Sequence, residues 1–306
     1  SSFATGVNPG KHNIFDFLNR DPKTYGIELS SSRIVETGKG KRQKTDVRLL
    51  RKGIPFWQVL GRHGVFSTVL RVPITYPPSR HKGLLLSAMC TPDLRGSQGS
   101  YTLFTDEITE RKDTLGGVWL PIQREGNDLH AELPGPPDNG GNDALTMRLT
   151  MRLTDDEANI AVQLPDRKLD LTVGEYSPWI PISFRAGRIR KIRGLCRFLL
   201  VSTTPTFRLY VTPLNIDPEH PAMPISHPSY FSIYLSKLHG AFATLGLAED
   251  TQALEDGVID EPAFLEQVYD VIDPAELDYV VINHMEPDHS GAIRILRNVA
   301  PNATFV

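Results

Sequence analysis

Residues 146–154 read Thr-Met-Arg-Leu-Thr-Met-Arg-Leu-Thr, a repeated four-residue unit that alternates with period two. Only an extended strand turns that alternation into two faces. Met147, Leu149, Met151 and Leu153 then share one face, and Arg148, Thr150 and Arg152 share the other. A strand that hides one face needs partners, and the surrounding sequence offers them. Tyr101–Thr105, Val118–Ile122, Ile160–Leu164 and Leu169–Val173 are short, rich in β-branched or aromatic residues, and separated by turn clusters such as 134–141, Pro-Gly-Pro-Pro-Asp-Asn-Gly-Gly. Residues 98–201 are therefore predicted to form a β-rich inserted module.

The flanks have a different texture. Pro55 to Leu60 suits a short helix with proline in its first turn, ended by Gly61. Val65 to Val72 follows as a strand stopped by Pro73, and Phe207 to Thr212 reads as another. Ser229 to Leu238 has helical spacing, with Phe231, Tyr234, Leu235 and Leu238 on one face. A further helix is expected from Glu261 to Asp270. This mixture predicts an α/β core, incomplete here, made of residues 1–97 and 202–268 with the β-rich module between.

Bulk properties exclude more than they select. A chain of 306 residues with 40% hydrophobic and 23% charged residues is ordinary for a globular protein. Its net charge of −3 makes no electrostatic case for nucleic acid. No apolar run reaches the ~18–20 residues of a spanning helix. The two cysteines, Cys90 and Cys196, make no disulfide framework. Two local basic runs stand out. Lys39, Lys41, Arg42, Lys44, Arg48, Arg51 and Lys52 lie in a stretch, residues 21–53, that reads as loop. Arg185, Arg188, Arg190, Lys191, Arg193 and Arg197 interleave with Ile189, Ile192 and Leu195 as on a solvated strand face, with a phosphate-docking surface as the alternative.

Several separate segments carry a resemblance. The chain opens Ser-Ser-Phe-Ala-Thr-Gly-Val-Asn-Pro-Gly-Lys-His, followed by Ile14-Phe15-Asp16-Phe17. Pro73-Ile-Thr-Tyr-Pro-Pro78, Cys90-Thr-Pro-Asp-Leu-Arg-Gly96, Tyr210-Val-Thr-Pro-Leu-Asn-Ile-Asp-Pro218, Pro224-Ile-Ser-His-Pro228 and Ala243-Thr-Leu-Gly-Leu-Ala-Glu-Asp-Thr251 follow in order. Together they resemble the type I phosphodiesterase/nucleotide pyrophosphatase branch of the alkaline phosphatase superfamily, over about residues 1–266. Asn13 stands where that branch usually has glycine. The resemblance implies an alkaline phosphatase-like core with the β-rich module as a cap. It also implies a phosphate-ester small-molecule substrate and two divalent metal ions, zinc in the complete enzyme. The nucleophile of that family would fall before Ser1, so no catalytic residue is assigned within the chain.

The last segment sounds different. After a strand expected at Tyr279–Ile282, read as buried on both faces, come His284, Glu286, Asp288 and His289. Four metal-capable side chains in six residues, just past the carboxyl end of a strand, form a candidate metal loop. Mixed imidazole and carboxylate donors suit iron, zinc or manganese. A polar loop without metal is the plain alternative. His-x-Glu-x-Asp-His-Ser-Gly, residues 284–291, resembles the first metal motif of flavodiiron proteins (A-type flavoproteins), over about residues 270–306. That resemblance implies that His284 and Glu286 serve one iron and Asp288 and His289 the other, with FMN as electron source and further ligands beyond Val306. Glu286-Pro-Asp288 also looks like part of a phosphodiesterase zinc site, but Ala292 stands where that site needs histidine.

The two resemblances do not belong to one architecture. A junction near residues 266–272, arising by fusion or by assembly of fragments, reconciles them, with 269–306 as a flavodiiron-like segment. The expected function is then a metal-dependent phosphoesterase fragment, inactive as it stands. One alternative is a partial flavodiiron oxidoreductase that reduces oxygen or nitric oxide. The other is a non-enzymatic binding module using the basic β insert.

Overall fold

The computed structural model describes residues 1–16, 18–37, 44–87, 91–97, 99–114, 116–138, 144–154, 158–187, 190–245, 253–254, 256–260, 265, 268–269, 272–280 and 293–306. In chain order the elements begin with α1 (Ser2–Thr5), α2 (Pro9–His12), β1 (Leu18–Arg20), β2 (Ile27–Leu29), β3 (Ser32–Thr37), β4 (Lys44–Leu49), α3 (Phe56–Arg62), β5 (Ser67–Leu70) and β6 (Gly83–Leu86). The middle of the chain supplies β7 (Tyr101–Thr105), β8 (Lys112–Asp113), β9 (Gly117–Pro121), β10 (Gln123–Glu125), β11 (Asp128–Pro137), β12 (Ala144–Leu153), β13 (Asn159–Gln163), β14 (Lys168–Thr172), β15 (Ile180–Ala186), β16 (Arg190–Cys196), β17 (Phe198–Ser202) and β18 (Arg208–Val211). It closes with β19 (Asn215–Ile216), β20 (Ser226–His227), α4 (Tyr230–His239), β21 (Tyr279–Val280), α5 (Ile293–Val299) and β22 (Thr304–Phe305). The chain divides into two compact units, residues 1–92 with 216–246, and residues 93–215 with 247–306.

In the first unit, α1 stops at Gly6, whose φ of 66° is a left-handed value that glycine adopts without strain. One turn later α2 stops at Asn13, with φ 67°. Asparagine is the usual substitute for glycine at such a cap, which explains how it serves here. Ala4, Trp57, Val69 and Leu85 pack into one small core, and Ile14 and Ile74 into another. β5 runs parallel to β6, and β20 completes a three-stranded sheet on the far side of β6.

Three expectations for this unit change. Residues 21–53, read as loop, contain the antiparallel hairpin β3–β4, with Ile34 opposite Val47. Arginines and lysines interrupt the alternation there and mask it in the sequence. α3 continues through Gly61 to Arg62 rather than stopping, since one glycine inside a helix costs only about 1 kcal/mol. α4 buries Phe231, Ser232 and Ser236, while Tyr234 and Leu238 face solvent at 56% and 59% exposure. The Ser232 amide donates to Ser226 Oγ at 3.1 Å, and this polar anchor sets a rotation that apolar spacing alone does not contain.

The second unit is built of sheets. β10–β11–β12–β13–β14 form an antiparallel meander. β12 carries the repeat, and its burial alternates as the sequence predicts: Met147, Leu149, Met151 and Leu153 are buried, Arg148 and Arg152 exposed. Across the ladder Met151 faces Leu129 and Val162, both fully buried, so hydrophobic rows run through three strands. A second sheet has the order β17–β18–β7–β9–β8. Its centre, β7, is buried at all five positions. β18 lies between β17 and β7, so the sequence boundary at residue 201 passes through this sheet. The reason is a pairing between segments a hundred residues apart, which local periodicity does not encode.

Close approach of backbone explains two glycines of this unit. A Cβ on Gly135 would enter the Phe184 ring, and one on Gly117 would enter the Tyr101 ring. In β16 Arg190, Lys191 and Arg193 are exposed while Ile192 and then Gly194, Leu195 and Cys196 are buried, so the charged side chains face solvent without a strict alternation; Arg188 and Ile189 lie outside the described residues. Among the described residues no helix is long and apolar enough to cross a membrane.

Candidate metal loop

The C-terminal elements frame the segment that carries the predicted ligands. Asp273 caps the short turn Pro274–Glu276, its carboxylate accepting from the Ala275 amide at 3.0 Å. β21 then pairs in parallel with β22, Tyr279 opposite Thr304 and Val280 opposite Phe305. The Thr304 amide donates to the Asp278 carbonyl at 2.8 Å, and the Val306 amide to the Val280 carbonyl at 3.0 Å. Between the strands, α5 buries Ile295 and turns Arg294 and Arg297 outward, and Ala300 is buried just beyond it.

Parallel neighbours cannot be joined by a tight turn, so the chain must cross over. The order strand, 281–292, helix, parallel strand meets that requirement. His284, Glu286, Asp288 and His289 fall in 281–292, between the carboxyl end of β21 and the start of α5. These four residues, with Ile282 and Ala292, lie outside the described residues. So do Cys90, Lys39, Lys41 and Arg42, and most of the helix expected at 261–270. The strand itself departs from expectation: Tyr279 is 66% exposed rather than buried on both faces. The sheet it joins has two described strands, too few to cover both sides.

Elsewhere, no group of three or more histidine, cysteine, aspartate or glutamate side chains among the described residues could hold a metal ion. The polar clusters that sequence reading missed are anchors between strands and loops. The Tyr101 hydroxyl donates to Asp256 Oδ2 at 2.6 Å and accepts from Trp119 Nε1 at 3.3 Å. Thr114 Oγ1 lies 3.1 Å from the same hydroxyl and 3.2 Å from Asp256 Oδ2. Burial, then the hydrogen bond to Asp256, pushes the Tyr101 phenol up to about 12. This group fixes the turn at 256–259 over β7, where Ala253, Val258 and Ile259 join the core of Tyr101, Leu103 and Tyr210. Arg95 is a second anchor, donating to the Pro134 carbonyl at 3.0 Å and to Thr102 Oγ1 at 2.6 Å. Cys196 is a free, wholly buried thiol whose ionisation burial pushes far upward, so it is inert rather than nucleophilic. The contacts of Tyr101 with Asp256 and of Arg95 with Pro134 carried no local sequence signal, because they join residues far apart in the chain.

No family model matches the chain, and no solved structure matches it. Short similarity to curated proteins does exist. A flavo-diiron protein of Clostridium acetobutylicum is 55% identical over 43 residues, 14% of this chain. Putative diflavin flavoproteins of Nostoc sp. and of Synechocystis sp. are each 46% identical over 46 residues, 15% of the chain. The chain spans only 11% of the first relative's length and 8% of the other two. A short segment of the chain is thus similar to flavodiiron and diflavin flavoproteins. Nothing found supports the alkaline phosphatase-like resemblance of residues 1–266, nor zinc or a phosphate-ester substrate.

Proposed function

We propose that the C-terminal segment is part of a flavodiiron-type iron site, and that the similar stretch is the one containing His284, Glu286, Asp288 and His289. The 55% identity over 43 residues carries this reading, because the densest flavodiiron-like motif in the chain lies at 284–291. The donor set fits: two imidazoles and two carboxylates are a mixture that iron accepts. In sequence the four residues follow the end of β21, and α/β units place ligands beyond the carboxyl ends of their strands. His284 and Glu286 would hold one iron, Asp288 and His289 the other. A reduced iron pair supplies electrons to a small oxidant such as oxygen or nitric oxide, with FMN as the donor in the whole protein. The protein's own contribution would be orientation, since β21 and α5 bracket residues 281–292 in the chain.

An iron(II) titration of the intact chain under anaerobic conditions tests this, with a His284→Ala/Glu286→Ala variant beside it. Binding should be weakened at least tenfold in the variant, and should weaken at acid pH because imidazole must be neutral to coordinate. Indistinguishable isotherms would leave a polar loop.

For residues 1–268 we propose the fold class read from sequence, an α/β core carrying a β-rich module. The parallel pair β5–β6 supports it for the first unit, and the two five-stranded sheets for the second. No activity is assigned to that part.

A further inference from the structure

In the first unit the outer side of α3 is apolar and uncovered. Phe56, Val59 and Leu60 are exposed and stand at i, i+3 and i+4, so they share one helix face, while Trp57 turns into the core. The strip continues at both ends of the helix. Phe3 of α1 is 78% exposed and meets Phe56 edge to face, with ring centroids 5.6 Å apart. At the far end the Val65 amide donates to the Leu60 carbonyl at 3.0 Å, across Gly64 at a left-handed φ of 84°. That bond closes a helix C-terminus and brings the two apolar side chains it joins together. One exposed strip therefore runs from Phe3 through Phe56, Val59 and Leu60 to Val65. Its rim carries one sign of charge. Residues 1–15 and 47–92, which supply α1, α2, α3, β5 and β6, contain no aspartate or glutamate, while 47–92 hold seven arginines and lysines. Four of these are exposed and placed against the strip. Arg62 ends α3. Lys82 lies across Gly61 and Gly64, its Nζ 3.8 Å from where a Gly64 Cβ would stand. The Arg80 carbonyl accepts from Gln58 Nε2 at 3.3 Å, which ties its backbone to α3. Lys52 precedes Gly53, whose Cβ would touch Thr5 of α1. Among the described residues none of the four forms an ion pair.

We propose that this strip and its rim dock the first unit on an anionic phospholipid surface, with α3 lying in the plane of the interface. Contiguous exposed apolar surface marks an interaction site, and the rim selects the partner. A second copy of the chain would set like charge against like charge. An anionic bilayer answers both features, offering an apolar boundary for aromatic rings and phosphates for the cations. Phe3 and Phe56 would enter the boundary between headgroups and acyl chains. Lysine and arginine stems lie along apolar surface while their heads reach water or phosphate. Each rim cation should add about fivefold in affinity. The whole chain carries −3, so the attraction is local and is screened beyond about 8 Å at physiological salt. The surface does not involve residues 281–292 and is independent of the iron reading.

The probes are vesicles of equal parts phosphatidylserine and phosphatidylcholine, and vesicles of phosphatidylcholine alone, mixed with the full chain at physiological ionic strength. Co-sedimentation should show binding to the first and at least tenfold weaker binding to the second, a comparison that needs no variant. Arg62→Ala/Lys82→Ala should weaken binding to the anionic vesicles by about 25-fold, and Phe3→Ser by at least fivefold, with circular dichroism unchanged because all three side chains are exposed. A Phe3→Trp variant reads insertion directly, since brominated acyl chains should quench its added emission. Absence of binding, equal binding to both vesicles, affinity unchanged by the substitutions, or no quenching would each overturn the proposal. Displacement by polyglutamate together with an unchanged Phe3→Ser affinity would overturn it as well, showing a plain polyanion site.

Discussion

Replacing Met151 by alanine is the sharpest test of how the second unit is held together. Met151 is fully buried in β12 and stands between Leu129 on β11 and Val162 on β13, each also fully buried. Truncation there removes the transfer free energy of the lost atoms and leaves a cavity that a three-strand row closes poorly. Buried methionine-to-alanine changes cost about 2–5 kcal/mol. At roughly 2–4 °C per kcal/mol for a cooperative body of 150–250 residues, the transition of this unit should fall by roughly 4–20 °C. Arg152 is the internal control: it is the next residue, its side chain is 70% exposed, and its bond to Asp128 at 2.7 Å is an exposed ion pair. Arg152→Ala should leave the midpoint close to the parent. Calorimetry with near-ultraviolet circular dichroism follows both. Equal shifts for the two variants would refute the two-faced strand.

Three further outcomes follow from contacts in the fold. Gly135→Ala pushes a methyl group into the buried Phe184 ring and should cost ~1–3 kcal/mol, read as a lower urea midpoint at unchanged slope; a neutral result would mean that the two strands are not so close. Tyr101→Phe strips one donor from Asp256 and should destabilise by ~1–3 kcal/mol, and because the phenol is pushed up to about 12, the tyrosinate absorbance gained by pH 11 should be the same in variant and parent. Buried His12 has its pKa lowered from 6.5 chiefly by burial, with the Arg51 guanidinium acting in the same direction, and its Nδ1 accepts from the Ile14 amide at 3.1 Å. The folded state therefore favours the neutral ring, so this stability is present above pH 6.5 and is lost as the pH falls toward the lowered value; His12→Gln should flatten that part of the pH–stability profile, and an unchanged slope would contradict the assignment.

What could be read from the residues was whatever repeats locally. The β12 repeat states its own faces, and Tyr101–Thr105 is a strand with the same bounds in sequence and structure. The hairpin β3–β4 was hidden because charged residues interrupt its alternation. The placement of β18 beside β7 was hidden because it depends on pairing across a hundred residues. The same holds for polar contacts: Tyr101 with Asp256 and His81 with His227 join residues about 150 positions apart. The candidate metal segment could be named from sequence for the opposite reason, since four ligand-type residues fall within six positions. Its frame, a parallel pair joined through α5, is visible in the fold, while His284, Glu286, Asp288 and His289 themselves lie outside the described residues.

The most direct measurement for the iron assignment is X-ray absorption at the iron edge of the loaded chain, compared with a His284→Ala/His289→Ala variant. The two-imidazole, two-carboxylate set predicts distinct ring scattering from coordinated histidine in the parent, lost in the variant while light-atom oxygen neighbours remain. Spectra that superimpose would contradict the placement of iron on this loop.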